Sequence, residues 1–414
     1  MHISKLQVFN YKSYRDSTEI DLKPGFNIVT GQNSSGKTAL LEVLTFRISL
    51  KPHRSIRTIP VVGGLPEPTS AVRGTFVLSG EELLHFMRGT RVDQLFPAPD
   101  AGSTQQSMDR QLGILIQQPQ LRVPIRFAQG PNGGLWTVEG ASFFGVYEVQ
   151  PHPYQHLPVL FPVAANADRL VTTSGGHFQN PAEDVRVPLV QFLSQRIYRF
   201  KAERFNLGRY AFGDNPVLLP DASNLPQVLN TLNSNPARFD RLNVLLTEIL
   251  PQVRQVSVRP VGANQVEILV WSHNPATERG DLAVPLDECG SGIGQVLAIL
   301  YVVTTSDHPQ TILVDEPQSL LHPGAVRKLI EVLKKYPQHQ YIFATHSPTV
   351  ITASNPSTFT MVRSDEGESV LEIMDPSNAQ HLQAYLSEIG ARLSDVFGAD
   401  SILWVEGQTE EACF

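Results

Sequence analysis

The chain has 414 residues, room for two or three domains, and its 41% hydrophobic and 18% charged content makes it globular with a sizeable core. A net charge of −7 argues against general nucleic-acid coating but leaves room for a local basic groove. A mid-chain apolar run of only 296–303, no signal-peptide pattern and two isolated cysteines (Cys289, Cys413) argue against a bilayer span, a secretory leader and a disulfide or zinc framework, so a reducing cytoplasm is the expected home.

The alternating start, residues 3–9, predicts a strand, and 17–22 a second. An apolar stretch at 26–30 runs into Gly31-Gln32-Asn33-Ser34-Ser35-Gly36-Lys37-Thr38, and a helical pattern (Ala39, Leu40, Leu41, Val43, Leu44) runs out. Strand, G-x-x-x-x-G-K-[ST] loop and helix together make a phosphate cradle. Gly31 and Gly36 let backbone N–H groups turn inward, Lys37 reaches the β- and γ-phosphates, and the Thr38 hydroxyl ligates Mg²⁺. This pattern implies a bound nucleoside triphosphate, with ATP and Mg²⁺ the expected cofactors.

Strands are expected at 72–78, 122–128, 135–139 and 143–149, with Pro131-Asn132-Gly133-Gly134 as a hairpin turn. Residues 88–120, rich in Pro, Gln, Gly and Ser, read as a long loop or insertion. Helical patterning follows at 182–205 and 225–250, then strands at 253–258 and 265–271. An apolar helix at 294–304 precedes a buried strand at 311–314. In the next helix Val326, Leu329, Ile330 and Leu333 share one face, and a further buried strand spans 341–344. Such alternation builds a parallel sheet. The expected chain is therefore α/β, with a mixed sheet, an antiparallel β subdomain and a helical insertion. It divides into a phosphate-loop lobe at 1–85, the insertion at 86–240, a second lobe at 241–395 and a short segment at 396–414.

The second lobe carries the remaining chemistry. The strand 311–314 ends in Asp315 and Glu316. An acidic turn alone would read the same way. Downstream of a phosphate loop, Asp315 is expected to hold Mg²⁺ through water and Glu316 to orient or deprotonate the attacking water. His346 in Thr345-His346-Ser347 closes the next strand, where it is either structural or in reach of the γ-phosphate. Gly290-Ser291-Gly292 opens a helix whose N-terminus suits an anion or simply a cap.

In this order, the four elements resemble the ABC-type ATPase heads of the SMC and OLD (overcoming lysogenisation defect) families, over residues 5–374. The resemblance implies an ABC-type P-loop head in which two chains sandwich ATP, with Ser291-Gly292 completing the partner's site and His346 at the switch position. It also implies a homo-oligomer. Gln318-Ser319-Leu320-Leu321-His322-Pro323 matches the dimer-contacting loop in its Leu-His-Pro ending. Two departures stand out: Ile293 replaces a signature glycine, and Gln318 stands where relatives carry an acid.

Near the end, 401–405 and Glu406-Gly407-Gln408-Thr409-Glu410 look like the opening motif of a Toprim domain, with Glu406 its first carboxylate. One carboxylate cannot assemble a Mg²⁺ nuclease site, so no cleavage is expected from this chain alone. Residues 196–210 interleave Arg, Lys, Tyr and Phe, which suits a solvated or core helix, a contact near the nucleotide (Arg204) or nucleic acid. The expectation is an ATP-dependent dimerising switch acting on or sensing DNA, in antiphage defence with a nuclease or toxin effector. The alternatives are an ATP-bound scaffold that holds an effector and hydrolyses slowly, and, less well matched, a transporter ATPase.

Overall fold

Thr311-Ile312-Leu313-Val314 and Tyr341-Ile342-Phe343-Ala344 are unbroken apolar runs, the signature of strands covered on both faces. The computed structural model, which describes residues 1–151, 156–178, 184–201, 208–277, 279–319 and 321–374, places them side by side. They sit in a six-stranded sheet ordered Ile197–Phe200, Thr311–Asp315, Gln340–Ala344, Gly25–Thr30, Thr358–Asp365, Glu368–Met374. The first five strands are parallel and the last returns antiparallel.

Side-chain alternation divides two cores across this sheet. Phe26, Ile312, Val314, Tyr341 and Phe343 pack toward the helices Pro236–Ile249, Ser291–Thr305 and Pro323–Lys334. Val29, Leu313, Ile342 and Ala344 pack toward the helix Lys37–Val43 and the antiparallel lobe. Each such buried aliphatic side chain contributes roughly 1.5–3 kcal/mol. Ser291–Thr305 is apolar almost all round, and residues 296–303 are all buried, which makes it a core helix. Among the described residues no helix is long and apolar enough to cross a membrane.

The antiparallel lobe is a sheet ordered Tyr14–Asp16, His2–Tyr11, Ser70–Leu78, Leu121–Gly130, Gly133–Val138, with Ile20–Asp21 against His2–Tyr11. Gly130 pairs with Gly133 across the expected hairpin turn. The sheet draws strands from both sides of residue 85. The whole is an α/β fold in which a mostly parallel sheet, closed by one antiparallel strand, is joined to an antiparallel β lobe.

Three local expectations are corrected. Residues 88–120 are not a long loop: they hold the strand Gln94–Pro97 and the helix Gln105–Gln117, capped by Thr104 and buried through Met108, Leu112 and Leu115. Its apolar stripe is those three side chains with Ile116 packed beside them, short and interrupted by glutamines and a glycine. Helical patterning at 182–205 breaks after Arg186–Ser194, because Ile197–Phe200 becomes the edge strand beside Thr311–Asp315. The strand at 143–149 is two short ones, Ser142–Phe143 and Tyr147–Glu148, folded on each other around Gly145. Arg204 and the Glu406 segment lie outside the described residues.

Candidate active site

Register brings the site together. Val29 lies opposite Ala344, and Ala344 opposite Asp315, so three parallel strands end at one edge. Ligand sites of open α/β sheets form outside such carboxyl ends. Here the edge carries the phosphate loop, the Asp315-Glu316 pair and Thr345-His346.

The loop is a backbone cradle that side chains cannot share. Gly31 has φ +146° and Gly36 φ +112°. A Cβ on Gly31 would lie 2.1 Å from the Val362 carbonyl oxygen, and one on Gly36 2.3 Å from Ser369 Oγ. Ser34 also adopts positive φ (65°). Gln32, Asn33 and Ser34 are exposed along the loop, while Ser35 is buried with its hydroxyl unpaired. Lys37 is 6% exposed and donates to the carbonyls of Gly31 (2.8 Å) and Gln32 (2.9 Å). Its ammonium lies 3.6 Å from Glu316 Oε1, so the loop and the Asp-Glu strand meet at one charge pair.

Burial raises the Asp315 carboxyl above its ordinary range, an effect opposed by a hydrogen bond from the Thr38 hydroxyl and by the Arg199 and Lys37 charges. Asp315 Oδ1 is buried and unpaired. A costly orphan acceptor beside a threonine hydroxyl, under a loop shaped for phosphates, fits a Mg²⁺ ion that keeps most of its waters.

Glu316 is held in an unusual backbone state, φ +48°, with its N–H donating to the Ala344 carbonyl at 2.8 Å. A non-glycine residue there stores of order 1–3 kcal/mol of strain. Its carboxylate is fixed on several sides: Gln318 Nε2 donates to Oε2, and His346 Nδ1 lies 3.1 Å from Oε1 and 3.0 Å from Oε2. Gln318 is itself positioned by the Thr345 hydroxyl, which donates to its Oε1 at 2.9 Å. The departure from an acid at 318 thus has a structural use, an amide that bridges two strand ends.

Sequence reading missed the supports. The Tyr14 hydroxyl donates to the Gly36 carbonyl (3.1 Å), and Ser369 Oγ donates to the Ser35 carbonyl (2.5 Å) while lying 2.6 Å from Ser13 Oγ. Arg199, within the basic stretch for which a contact near the nucleotide was one of the alternatives, donates through Nη2 to the Thr38 carbonyl (3.3 Å). Lys12-Ser13-Tyr14 follows the first strand and was open to notice; nothing in sequence marks Ser369. Within the basic stretch, Arg196 is buried against Glu82 and Arg209 pairs with Glu267. Both arginines therefore serve intramolecular pairs.

Ser291 and Gly292 start their helix with no side-chain cap. Gly290, Gly292 and Ile293 border an open groove shared with Leu321, His322 and Ala325.

Residues 189–352 match a family described as "AAA domain, putative AbiEii toxin, Type IV TA system", and residues 1–72 one described as "AAA ATPase domain". The chain is similar to the DNA replication and repair protein RecF of Acidothermus cellulolyticus, 31% identical over 83 residues, 20% of this chain and 22% of that one. It is similar to RecF of Bifidobacterium adolescentis at 34% over 82 residues, 20% of each. Chromosome partition protein Smc of Gloeobacter violaceus is 37% identical over 57 residues, 14% of this chain and 5% of that one. The matched part thus spans about a fifth of the RecF relatives and far less of Smc. Among solved structures, an SmcHead bound to the C-winged helix domain of ScpA aligns over 92% of this chain and 99% of that one, at 15% identity and TM-score 0.49. The SMC head domain from Thermotoga maritima aligns over 91% and 100%, at 12% and 0.42. The two family matches, both to AAA-type domains, contain between them the phosphate loop, Ser291, Asp315, Glu316 and His346.

Proposed function

We propose that this chain is a Mg²⁺-dependent ATPase switch of the OLD/SMC-like class, closing as a homodimer on ATP and acting on or sensing DNA in antiphage defence beside a nuclease or toxin effector. The observation that carries the hydrolytic part is the meeting of Lys37, Glu316 and His346 at one sheet edge. Lys37 would exchange its two loop carbonyls for phosphate oxygens. Thr38 and Asp315 would hold the metal, which supplies charge neutralisation on the β- and γ-phosphate oxygens. Glu316, clamped by Gln318 and His346, would orient the attacking water and take its proton. Ser291 and Gly292, at a helix start with no side-chain cap, would face the partner's nucleotide. The DNA link draws support from the names of the RecF relatives, and the defence link from the toxin–antitoxin wording of the matching family.

A second reading, an ATP-bound scaffold that hydrolyses slowly while holding an effector, is favoured by one feature: both Glu316 oxygens are already engaged by Gln318 and His346. ATP turnover with and without DNA, beside mass measurement with and without ATP, separates the two. DNA-stimulated turnover with ATP-dependent dimers supports the switch. A dimer that binds ATP and barely turns over with DNA present supports the scaffold.

A further inference from the structure

Residues 51–69 form an exposed loop whose base is tied down and whose tip is apolar. Asn10 Nδ2 donates to the carbonyls of Glu67 (2.9 Å) and Thr69 (2.8 Å), and the Lys12 N–H donates to the Lys51 carbonyl (2.8 Å). His53 Nδ1 lies 2.7 Å from the Lys12 carbonyl. These anchors belong to the same turn, residues 10–14, that holds the phosphate loop through Ser13 and Tyr14. Beyond them, Ile56 (87% exposed), Val61 (69%), Val62 (104%) and Leu65 (90%) present their side chains to solvent. A cluster of exposed aliphatic residues on an anchored loop marks an interaction surface.

The same chain carries a matching hollow. The open groove beside Ser291, of about 660 Å³, has Ile249, Leu250, Pro251, Ile293, Leu321 and Ala325 among its walls. The groove itself is lined by charges of both signs, Glu248 and Lys328, but the unpaired charges flanking the two features are opposite. Lys51 and Arg54 on the loop are exposed and make no ion pair among the described residues. The same holds for Asp287 and Glu288, which lead into Gly290 at the groove's edge. The loop thus adjoins the phosphate-loop half of the nucleotide site, and the groove adjoins the Ser291 half.

We propose that the apolar tip around Val62 and Leu65 docks into the Ile293–Leu321–Ala325 groove of a second copy of this chain. The inference rests on the two-headed closure proposed above, which sets a phosphate loop opposite its partner's Ser291. Two-fold symmetry then repeats the knob and hollow on both sides of the interface. Lys51 and Arg54 of one copy meet the Asp287–Glu288 edge of the other, which favours the correct pairing over a displaced one.

The test uses the full chain with Glu316→Gln, which retains ATP. Sedimentation with Mg-ATP is expected to show a dimer, and adding Val62→Asp with Leu65→Asp should weaken that dimer at least tenfold. Binding of a fluorescent ATP analogue and the circular dichroism spectrum should stay unchanged. In chains with Cys289→Ser and Cys413→Ser, Val62→Cys on one copy should cross-link to Ala325→Cys on another only when the two are mixed with ATP. An unweakened Val62→Asp/Leu65→Asp dimer, or a sedimenting dimer that gives no cross-link in the mixture, would overturn the docking while leaving ATP-driven closure standing. A chain carrying both cysteines that cross-links within itself would overturn the docking too. A Glu316→Gln chain that stays monomeric with ATP would remove both ideas at once, and that outcome is distinct from the others.

Discussion

The phosphate loop and the Ser291 helix start are two halves of one expected site, and they are finished to different degrees. The loop is gripped from far along the chain, by Tyr14 and Ser369, with Arg199 on the Thr38 carbonyl just past it, and its lysine is buried and satisfied. The Ser291 helix start has no side-chain cap, and its neighbours Gly290, Gly292 and Ile293 border an open groove. The contrast teaches that one half is braced within the chain, whereas the other begins its helix without a side-chain cap beside an open groove. An element left unsatisfied in the monomer is where an assembly would form.

The largest effect expected from breaking the first half is on turnover. Glu316→Gln should lower ATP hydrolysis by about 10²–10³-fold while ATP remains bound, since the side chain keeps its shape but loses its proton affinity. Lys37→Ala should instead weaken nucleotide binding itself, by removing the cation on the β- and γ-phosphates. Single-turnover hydrolysis and equilibrium binding separate the two, and wild-type turnover in Glu316→Gln would remove Glu316 from its assigned role.

The second half should fail only in trans. Mixing Lys37→Ala chains with Ser291→Arg chains leaves, in each heterodimer, one site with an intact loop and an intact partner signature. Both proteins are expected to be inactive alone and partly active together. Heterodimers shown by mass yet without activity would mean that Ser291 does not complete a neighbour's site.

A smaller effect separates the halves by pH. His339 is fully buried at the far end of the Ser291 helix, where Nδ1 accepts the Gln310 N–H (3.0 Å) and Nε2 faces the Val303 carbonyl (3.3 Å). Burial lowers its pKa from 6.5 to about 4. The unfolded chain therefore takes up a proton that the folded one refuses, so stability falls as pH drops below 6.5 and the loss is complete near 4. The loss attributable to His339 at pH 5 is about 2 kcal/mol. His2, also lowered to about 4, acts in the same window. Urea unfolding of His339→Gln should show a shallower pH slope than the parent between pH 7 and 5; an identical slope would mean His339 is not the group responsible.

The smallest effect returns to the loop. Ser369→Ala removes one hydrogen bond to the Ser35 carbonyl, about 1 kcal/mol. It should appear as a modest weakening of ATP affinity with little change in global unfolding. An unchanged affinity would show that the remaining grip on the loop suffices.

Much of the nucleotide half was written locally. Gly31, Gly36, Lys37 and Thr38 are contiguous because a cradle of successive backbone N–H groups must be, and a buried parallel strand announces itself by an unbroken run such as Thr311–Val314. The acidic pair could be placed at a strand end for the same reason. Sequence alone therefore determined the α/β class, the strand–loop–helix around the phosphate loop and the place of Asp315 and Glu316 at a strand end. What only tertiary structure decided were relations between distant residues: the register that sets Glu316 beside Lys37, the Gln318 bridge from Thr345, and the Ser369 hydroxyl, which arrives from a hairpin more than 330 residues beyond the loop. The helix Gln105–Gln117 and the strand Ile197–Phe200 were misread because their fate depended on neighbours rather than on their own periodicity. A short segment becomes helix or edge strand according to the surface that covers it, and that surface is supplied by the rest of the fold.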